Sequence, residues 1–257
     1  MNAYANRKAV VTGGTHGMGR AIVDALLDGG AEVLLTGRDE GNLEAARAEL
    51  PDRAHVVRSD VTDLADVDAL AATVGERLGR IDFLFVNAGY SRLEPYDAVT
   101  EETYDRTFAV NAKGAFFTAQ RLAPLVRDGG SIVFTTSVAN KSGFPGMTVY
   151  AGAKAAVWAF AQGLAAELLP RGIRVNAVSP GFVRTPTMGV YGVTAEERAA
   201  FEKEGAEATP MGRIGSPAEV ARAALFLAAD ATFTTGVELP VDGGINQNIT
   251  APHPARA

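Results

Sequence analysis

Short apolar, β-branched runs recur along the chain at intervals of roughly 20 to 45 residues, each followed by a stretch rich in Ala, Leu and Glu whose apolar positions keep helical spacing. The runs predict strands at Lys8 to Thr12, Glu32 to Thr36, His55 to Ser59, Phe83 to Asn87, Ser131 to Thr135, Arg174 to Val178 and Gly236 to Pro240. Several are apolar on both faces, as strands of a parallel sheet between two helix layers must be. The intervening stretches predict helices near Gly19 to Asp28, Leu43 to Leu50, Leu64 to Leu78, Glu101 to Val126, Val149 to Leu169 and Pro217 to Leu227. Ser216, Pro217 and Glu219 open the last of these as a capping box with proline in the first helical position. The pattern predicts an α/β, Rossmann-type fold: one doubly wound, parallel seven-stranded sheet with helices on both faces.

No composition break or linker divides the 257 residues, so one domain is expected over 1 to 245. Two segments leave the βα rhythm. Arg184 to Gly215, rich in Thr, Gly, Glu and Met, reads as a mobile flap, and residues 246 to 257, with two prolines, read as a tail.

Composition narrows the function. The chain has 24 Lys and Arg against 30 Asp and Glu, a net charge of −6, and no basic face to neutralise a phosphate backbone; a nucleic-acid partner is not expected. The absence of cysteine removes disulfides, thiolate catalysis and sulfur-ligated metals, and the scattered His16, His55 and His253 make no metal set. No apolar run approaches the ~18 residues of a membrane span, and Met1 to Lys8 carries no apolar leader. A cytoplasmic protein that binds neither metal nor membrane is expected.

Candidate chemistry begins at Thr12-Gly13-Gly14-Thr15-His16-Gly17-Met18-Gly19, between the first strand and the first helix. Glycines let a backbone turn sharply against a pyrophosphate, and the free amides and dipole at a helix start favour its charge. The spacing is GxxxGxG, and a lone glycine turn also serves packing. Asn87-Ala88-Gly89 ends the fourth strand, where ligands of an open parallel sheet lie. Asp60-Val61 ends the third; there the carboxylate meets an adenine amino group or caps the next helix, and both readings stand. At the end of the second strand Gly37 occupies the place where an acid would accept bonds from the ribose of NAD, and Arg38 follows, a planar cation suited to a 2′-phosphate. With His16 as further positive charge, NADP(H) is expected in preference to NAD(H); Asp39 as an unusually placed ribose acceptor is the alternative.

Tyr150-Ala151-Gly152-Ala153-Lys154 puts a phenol and an ammonium four residues apart on one helix face. Such a pair is commonly an ordinary surface pair, but a nearby ammonium favours phenolate and equips the tyrosine to exchange a proton with a carbonyl oxygen.

In their order along nearly the whole chain, these motifs resemble the short-chain dehydrogenase/reductase family in its single-domain form: TGxxxGxG at Thr12 to Gly19, NAG at Asn87 to Gly89, YxxxK at Tyr150 to Lys154, Pro180-Gly181 after the sixth strand, and Val241-Asp242-Gly243-Gly244 near the end. The resemblance implies a nicotinamide-dependent oxidoreductase. It assigns Ser137 to orienting the carbonyl, Tyr150 to proton transfer, Lys154 to lowering the Tyr150 pKa and holding the nicotinamide ribose, and Asn111 to a water that links Lys154 to solvent. It assigns Gly13, Thr15, His16, Gly17, Met18, Gly19, Arg38, Asp60, Val61, Asn87, Ala88, Gly89, Pro180, Gly181 and Val183 to the cofactor, with Thr185 at the carboxamide. By position, Ser137, Phe144, Met147, Tyr150, Phe182, Met188 and Tyr191 line a pocket suited to a hydrophobic or cyclic ketone, unless the apolar ones only pack the flap. Family members usually assemble as tetramers through two long helices, here Glu101 to Val126 and Val149 to Leu169, with Ala153, Ala155, Ala156, Ala159 and Gly163 permitting close approach.

Rival readings meet specific residues. An enoyl reductase of the superfamily has its tyrosine seven positions before the lysine, where this chain has Met147. Dehalogenase relatives lose the lysine and the glycine turn, both present here. A non-enzymatic NADP sensor on the same fold would be expected to lose the Tyr and Lys pair, which this chain keeps.

Overall fold

The structure is a computed structural model, and it describes residues 3–188, 192, 194–247 and 249. Seven parallel strands form one sheet: β1 (Lys8–Val11), β2 (Glu32–Gly37), β3 (Ala54–Arg58), β4 (Ile81–Val86), β5 (Val126–Thr135), β6 (Arg174–Pro180) and β7 (Glu238–Val241). Their order is β3-β2-β1-β4-β5-β6-β7. Register is set by pairs such as Val10↔Leu34 and Val10↔Leu84. The order reverses between β1 and β4, and the crevice above their carboxyl ends is where a doubly wound sheet accepts a ligand.

Alternate strand residues feed two cores. Ala9, Val11, Leu35, Phe83 and Phe85 pack against α1 (Gly17–Asp28) and α8 (Pro217–Leu225) through Ile22, Leu26, Val220 and Leu225. Val10, Leu34, Leu84, Ile132 and Phe134 face α3 (Leu64–Arg77), α5 (Gly114–Leu122) and α6 (Thr148–Leu168) through Leu70, Leu122 and Val157. Burial on both faces is what made the strands read as continuous apolar runs. Among the described residues no helix is long and apolar enough to cross a membrane.

Three elements differ from expectation. The helix expected over Glu101 to Val126 is α4 (Glu101–Phe108), a π turn (Ala109–Lys113), α5 and a 3-10 turn (Ala123–Leu125) containing Pro124. Within the π turn the Asn111 amide donates to the Thr107 carbonyl at 2.9 Å, supplying a bond that the widened ladder does not. Strand β5 begins early, at Val126, because the register against β4 shifts between Ile81 and Phe83. The expected flap contains α7 (Ala195–Ala208), opened by a Thr194/Glu197 capping box. Smaller shifts follow local caps: Asp39 accepts from the Asn42 amide and starts α2 (Glu40–Glu49) ahead of Leu43. The expected tail starts inside a bonded turn, Ile245–Gln247, where the Asn246 amide donates to Asp242 at 3.0 Å; residues 248 and 250–257 lie outside the described residues.

Candidate active site

A cleft of about 490 Å³ runs over the carboxyl ends of the strands. The glycine turn forms one wall. Gly13 and Gly17 have φ of +64° and +59°, which side-chain-bearing residues rarely adopt. At Gly19 a Cβ would stand 2.1 Å from the Gly13 carbonyl oxygen, so α1 can start this close to β1 only with glycine there. His16 is the residue before α1, and its Nδ1 lies 3.3 Å from the Thr15 hydroxyl. Asn87 ties the wall together: its Nδ2 donates to the carbonyls of Thr12 and Gly13, and its Oδ1 accepts from Thr135. The Thr12 hydroxyl, absent from the sequence reading, accepts from the amides of Asn87 and Ala88.

At the far end of the cleft a Cβ on Gly37 would lie 2.7 Å from Thr15 Cγ2, so Thr15 already fills the space of a side chain at 37. Arg38 is half-exposed and 3.8 Å from Asp60. Burial works against ionisation of Asp60, but bonds from the Thr62 amide and hydroxyl and the charges of Arg38 and Arg58 hold its carboxyl below the usual range. Of the two readings of Asp60, the helix cap falls away: Asp63 caps α3, accepting from Ala65. Asp39, the alternative ribose acceptor, also lines the cleft; its Oδ1 accepts from the Asn42 amide at the start of α2 and its other oxygen is not part of that bond. Asn42 and Ser59 also line this end and were not anticipated; a polar residue one turn into a helix carries no local signal of facing a cleft.

At the near end stand the four residues expected to do chemistry. Ser137 follows β5, and its hydroxyl accepts from the Ala139 amide at 3.2 Å and lies beside the Tyr150 phenol. Lys154, one turn along α6, is 4% exposed; its ammonium donates to the Thr135 carbonyl at 2.8 Å and lies 5.8 Å from the Tyr150 ring centre. Burial brings the Lys154 pKa down to about 8. Burial pushes the Tyr150 phenol up, with the Ser137 bond pulling the other way. Burial of the phenol thus opposes the lowering of the Tyr150 pKa expected from Lys154, although the phenol lines the cleft and is only half-buried. Asn111 is fully engaged as a donor, to Tyr90 and Thr107 carbonyls, while its Oδ1 accepts from the Tyr90 amide at 3.2 Å and keeps a second lone pair.

The remaining expected residues divide. Thr15, Met18, Val61, Gly89, Pro180, Gly181, Val183, Thr185 and Met188 line the cleft. Phe144, Met147 and Phe182 do not: Phe182 stacks edge-on with Phe201 of α7 at 5.2 Å and with Phe144 at 6.4 Å, which is flap packing. Tyr191 lies outside the described residues. Among the described residues no group of three His, Cys, Asp or Glu could hold a metal ion.

Glycine turn, switch-point crevice and a Ser, Tyr and Lys cluster together define a nucleotide-dependent oxidoreductase. A family model described as Enoyl-(Acyl carrier protein) reductase matches residues 13–246. The chain is 37% identical to an oxidoreductase of Sarocladium schorii over 94% of its length and 96% of that protein. It is also 37% identical to the L-fucose dehydrogenase of Oryctolagus cuniculus, covering 94% and 85% of the two. The crystal structure of a 3-ketoacyl-(acyl-carrier-protein) reductase from Brucella melitensis complexed with NADH superposes with a TM-score of 0.85 at 30% identity, over 94% and 98% of the chains. The chain belongs to the short-chain dehydrogenase/reductase family and is an NAD(P)-dependent oxidoreductase.

Proposed function

We propose that this chain is an NADP(H)-dependent ketoreductase acting on a hydrophobic or cyclic ketone. The observation that carries the reading is that Ser137, Tyr150 and Lys154 line one cleft, with the buried Lys154 ammonium 5.8 Å from the Tyr150 ring centre and bonded to the Thr135 carbonyl. A dinucleotide fits the residues present: the glycine turn has no Cβ in the way of a pyrophosphate at the start of α1, and the cleft is open from Arg38 to Tyr150. Gly13, Thr15, Gly17, Met18 and Gly19 would hold the pyrophosphate, Asp60, Val61 and Asn87 to Gly89 the adenosine side, and Lys154, Pro180, Gly181, Val183 and Thr185 the nicotinamide end. The bound nicotinamide supplies hydride to the carbonyl carbon.

The chain's own residues do the rest. Tyr150 donates its proton to the carbonyl oxygen as negative charge develops there, and its raised pKa keeps it protonated for that task at neutral pH. Ser137 gives the same oxygen a second hydrogen bond. Lys154 is charged below about pH 8 and stabilises the phenolate left behind; near its pKa it returns a proton through water at the free lone pair of Asn111.

Selection of NADP(H) is supported by Gly37 and Thr15 leaving no room for an acid at position 37 at the end of β2 and by the half-exposed Arg38. An apolar ketone is supported by Tyr90, Val110 and Met188 at the near end of the cleft. A homotetramer is supported by outward-facing Tyr104, Ala155, Ala159 and Gly163 on α4 and α6, whereas Ala153 is buried in the chain's own core; sedimentation velocity tests it.

The experiment is fluorescence titration with NADPH and NADH, then cofactor oxidation over cyclohexanone, acetophenone and tetralone, with L-fucose oxidation as the competing arm. Tighter NADPH binding and ketone-dependent turnover are expected, with turnover falling about 10³-fold in Tyr150→Phe while binding persists. Oxidation of L-fucose without ketone reduction would replace the ketoreductase reading, and failure to bind either nucleotide would end it.

A further inference from the structure

Ser137 caps the 3-10 turn Val138–Asn140. Its loop is held from the last strand. Glu238, on β7 opposite Ala177, has a side chain 1% exposed. Its Oε1 accepts from the Thr136 hydroxyl at 2.5 Å and from Asn140 Nδ2 at 2.7 Å, and its Oε2 lies 2.6 Å from the Lys141 ammonium. Those three donors belong to the residue before Ser137 and to two residues of the turn just after it. The Thr136 amide donates to the Val178 carbonyl at 2.9 Å, and the Thr136 hydroxyl lies between that same carbonyl, at 3.0 Å, and Glu238. Asn246 supports the same loop from beyond β7, donating to the Val138 carbonyl at 2.8 Å and bonding to Ser142.

A carboxylate removed from water is costly unless charged or polar groups surround it, and an apolar side chain would serve sheet packing more cheaply. The acceptor at 238 is spent wholly on the segment that carries one hydroxyl. We propose that Glu238 is the positioning residue for Ser137: one buried carboxylate grips the chain on both sides of it and sets its hydroxyl against Tyr150. The role as stated rests on the reductase reading of Ser137 and Tyr150.

Two readouts test it. The first needs no substrate: deuterium exchange in peptides spanning residues 136–142, measured on the whole protein with NADPH bound. Glu238→Ala is expected to speed exchange there about tenfold and leave β1, α1 and NADPH affinity unchanged; exchange equal to the parent's would overturn the proposal. The second uses whichever ketone the protein reduces. Glu238→Ala is expected to lower kcat on the order of 10²-fold, the size of a small misplacement of a reacting group, with the KM for NADPH unmoved. In a Ser137→Ala background it should cost nothing further, and Glu238→Gln, which keeps an acceptor for Thr136 and Asn140, should recover part of kcat. A Glu238→Ala loss that persists at full size without the Ser137 hydroxyl overturns the positioning role. If no ketone is reduced, the reductase reading has failed by itself, and exchange still decides whether Glu238 holds the loop. Should Glu238→Ala not fold, Lys141→Met removes only the half-exposed partner and is read by the same exchange, with a rise of about threefold expected and none overturning the clamp.

Discussion

Replacing Lys154 with methionine should make the protein more stable while disabling it. The ammonium is 4% exposed and its pKa falls from 10.5 to about 8 through burial. Holding it charged in the fold therefore costs about 2.5 pK units, on the order of 3 kcal/mol. Its bond to the Thr135 carbonyl at 2.8 Å gives back on the order of 1 kcal/mol, which the variant loses. Methionine keeps most of the volume without the charge, so Lys154→Met should gain about 2 kcal/mol at pH 7, or roughly 5 °C in Tm. The sign has its own pH signature. Below about pH 8 both folded and unfolded parent carry the proton and the penalty is complete. Between about 8 and 10.5 the unfolded chain binds more protons than the folded one, so the parent's stability rises with pH and the variant's advantage shrinks. Urea denaturation of both proteins at pH 7 and pH 10, at one protein concentration and without nucleotide, measures it. A variant less stable than the parent at pH 7, or an advantage equally large at pH 10, would refute the reasoning.

Arg38→Ala should weaken NADPH at least tenfold and leave NADH within about twofold, since only the 2′-phosphate loses a charge-assisted bond; paired fluorescence titrations read it. Gly19→Ala sets a Cβ 2.1 Å from the Gly13 oxygen and should abolish binding of both nucleotides, with a fall in Tm, because either β1 or the start of α1 must move. Ketone reduction should fall as pH rises through about 8, where Lys154 loses the charge that stabilises the Tyr150 phenolate; a flat rate from pH 7 to 9.5 would contradict that role.

Much of this was readable because it is local. The glycine turn, the Tyr150 and Lys154 spacing and the strand-end polar residues each lie within a few positions of one another, and short β-branched or apolar runs placed six of seven strands within about two residues of their observed starts. What escaped depends on distant or weak signals. Helix α7 has no apolar stripe, only Gly205 buried, so periodicity was silent although Thr194 and Glu197 form a capping box in plain sight. The π turn at Asn111 reads as ordinary helix because the side-chain bonds that anchor it reach Tyr90, 21 positions away. Glu238 acts on residues about 100 positions earlier, which no local pattern reveals. Burial that opposes the expected lowering of the Tyr150 pKa was not legible either, because spacing reports a neighbouring charge but not the loss of water around the phenol.

The clasp on residues 136–142 by Glu238 and Asn246 also bears on the order in which the protein comes to life during synthesis. The glycine turn, β1, β2 and the α1 start emerge from the ribosome first, but they gain Asn87, Thr135 and the packing of α8 only as the chain lengthens. The serine loop, by contrast, waits for the last strand, made about 100 residues later. The serine is therefore among the last parts of the site to be set, and a chain released short of β7 would lack the carboxylate that holds Thr136 and Asn140 on either side of it.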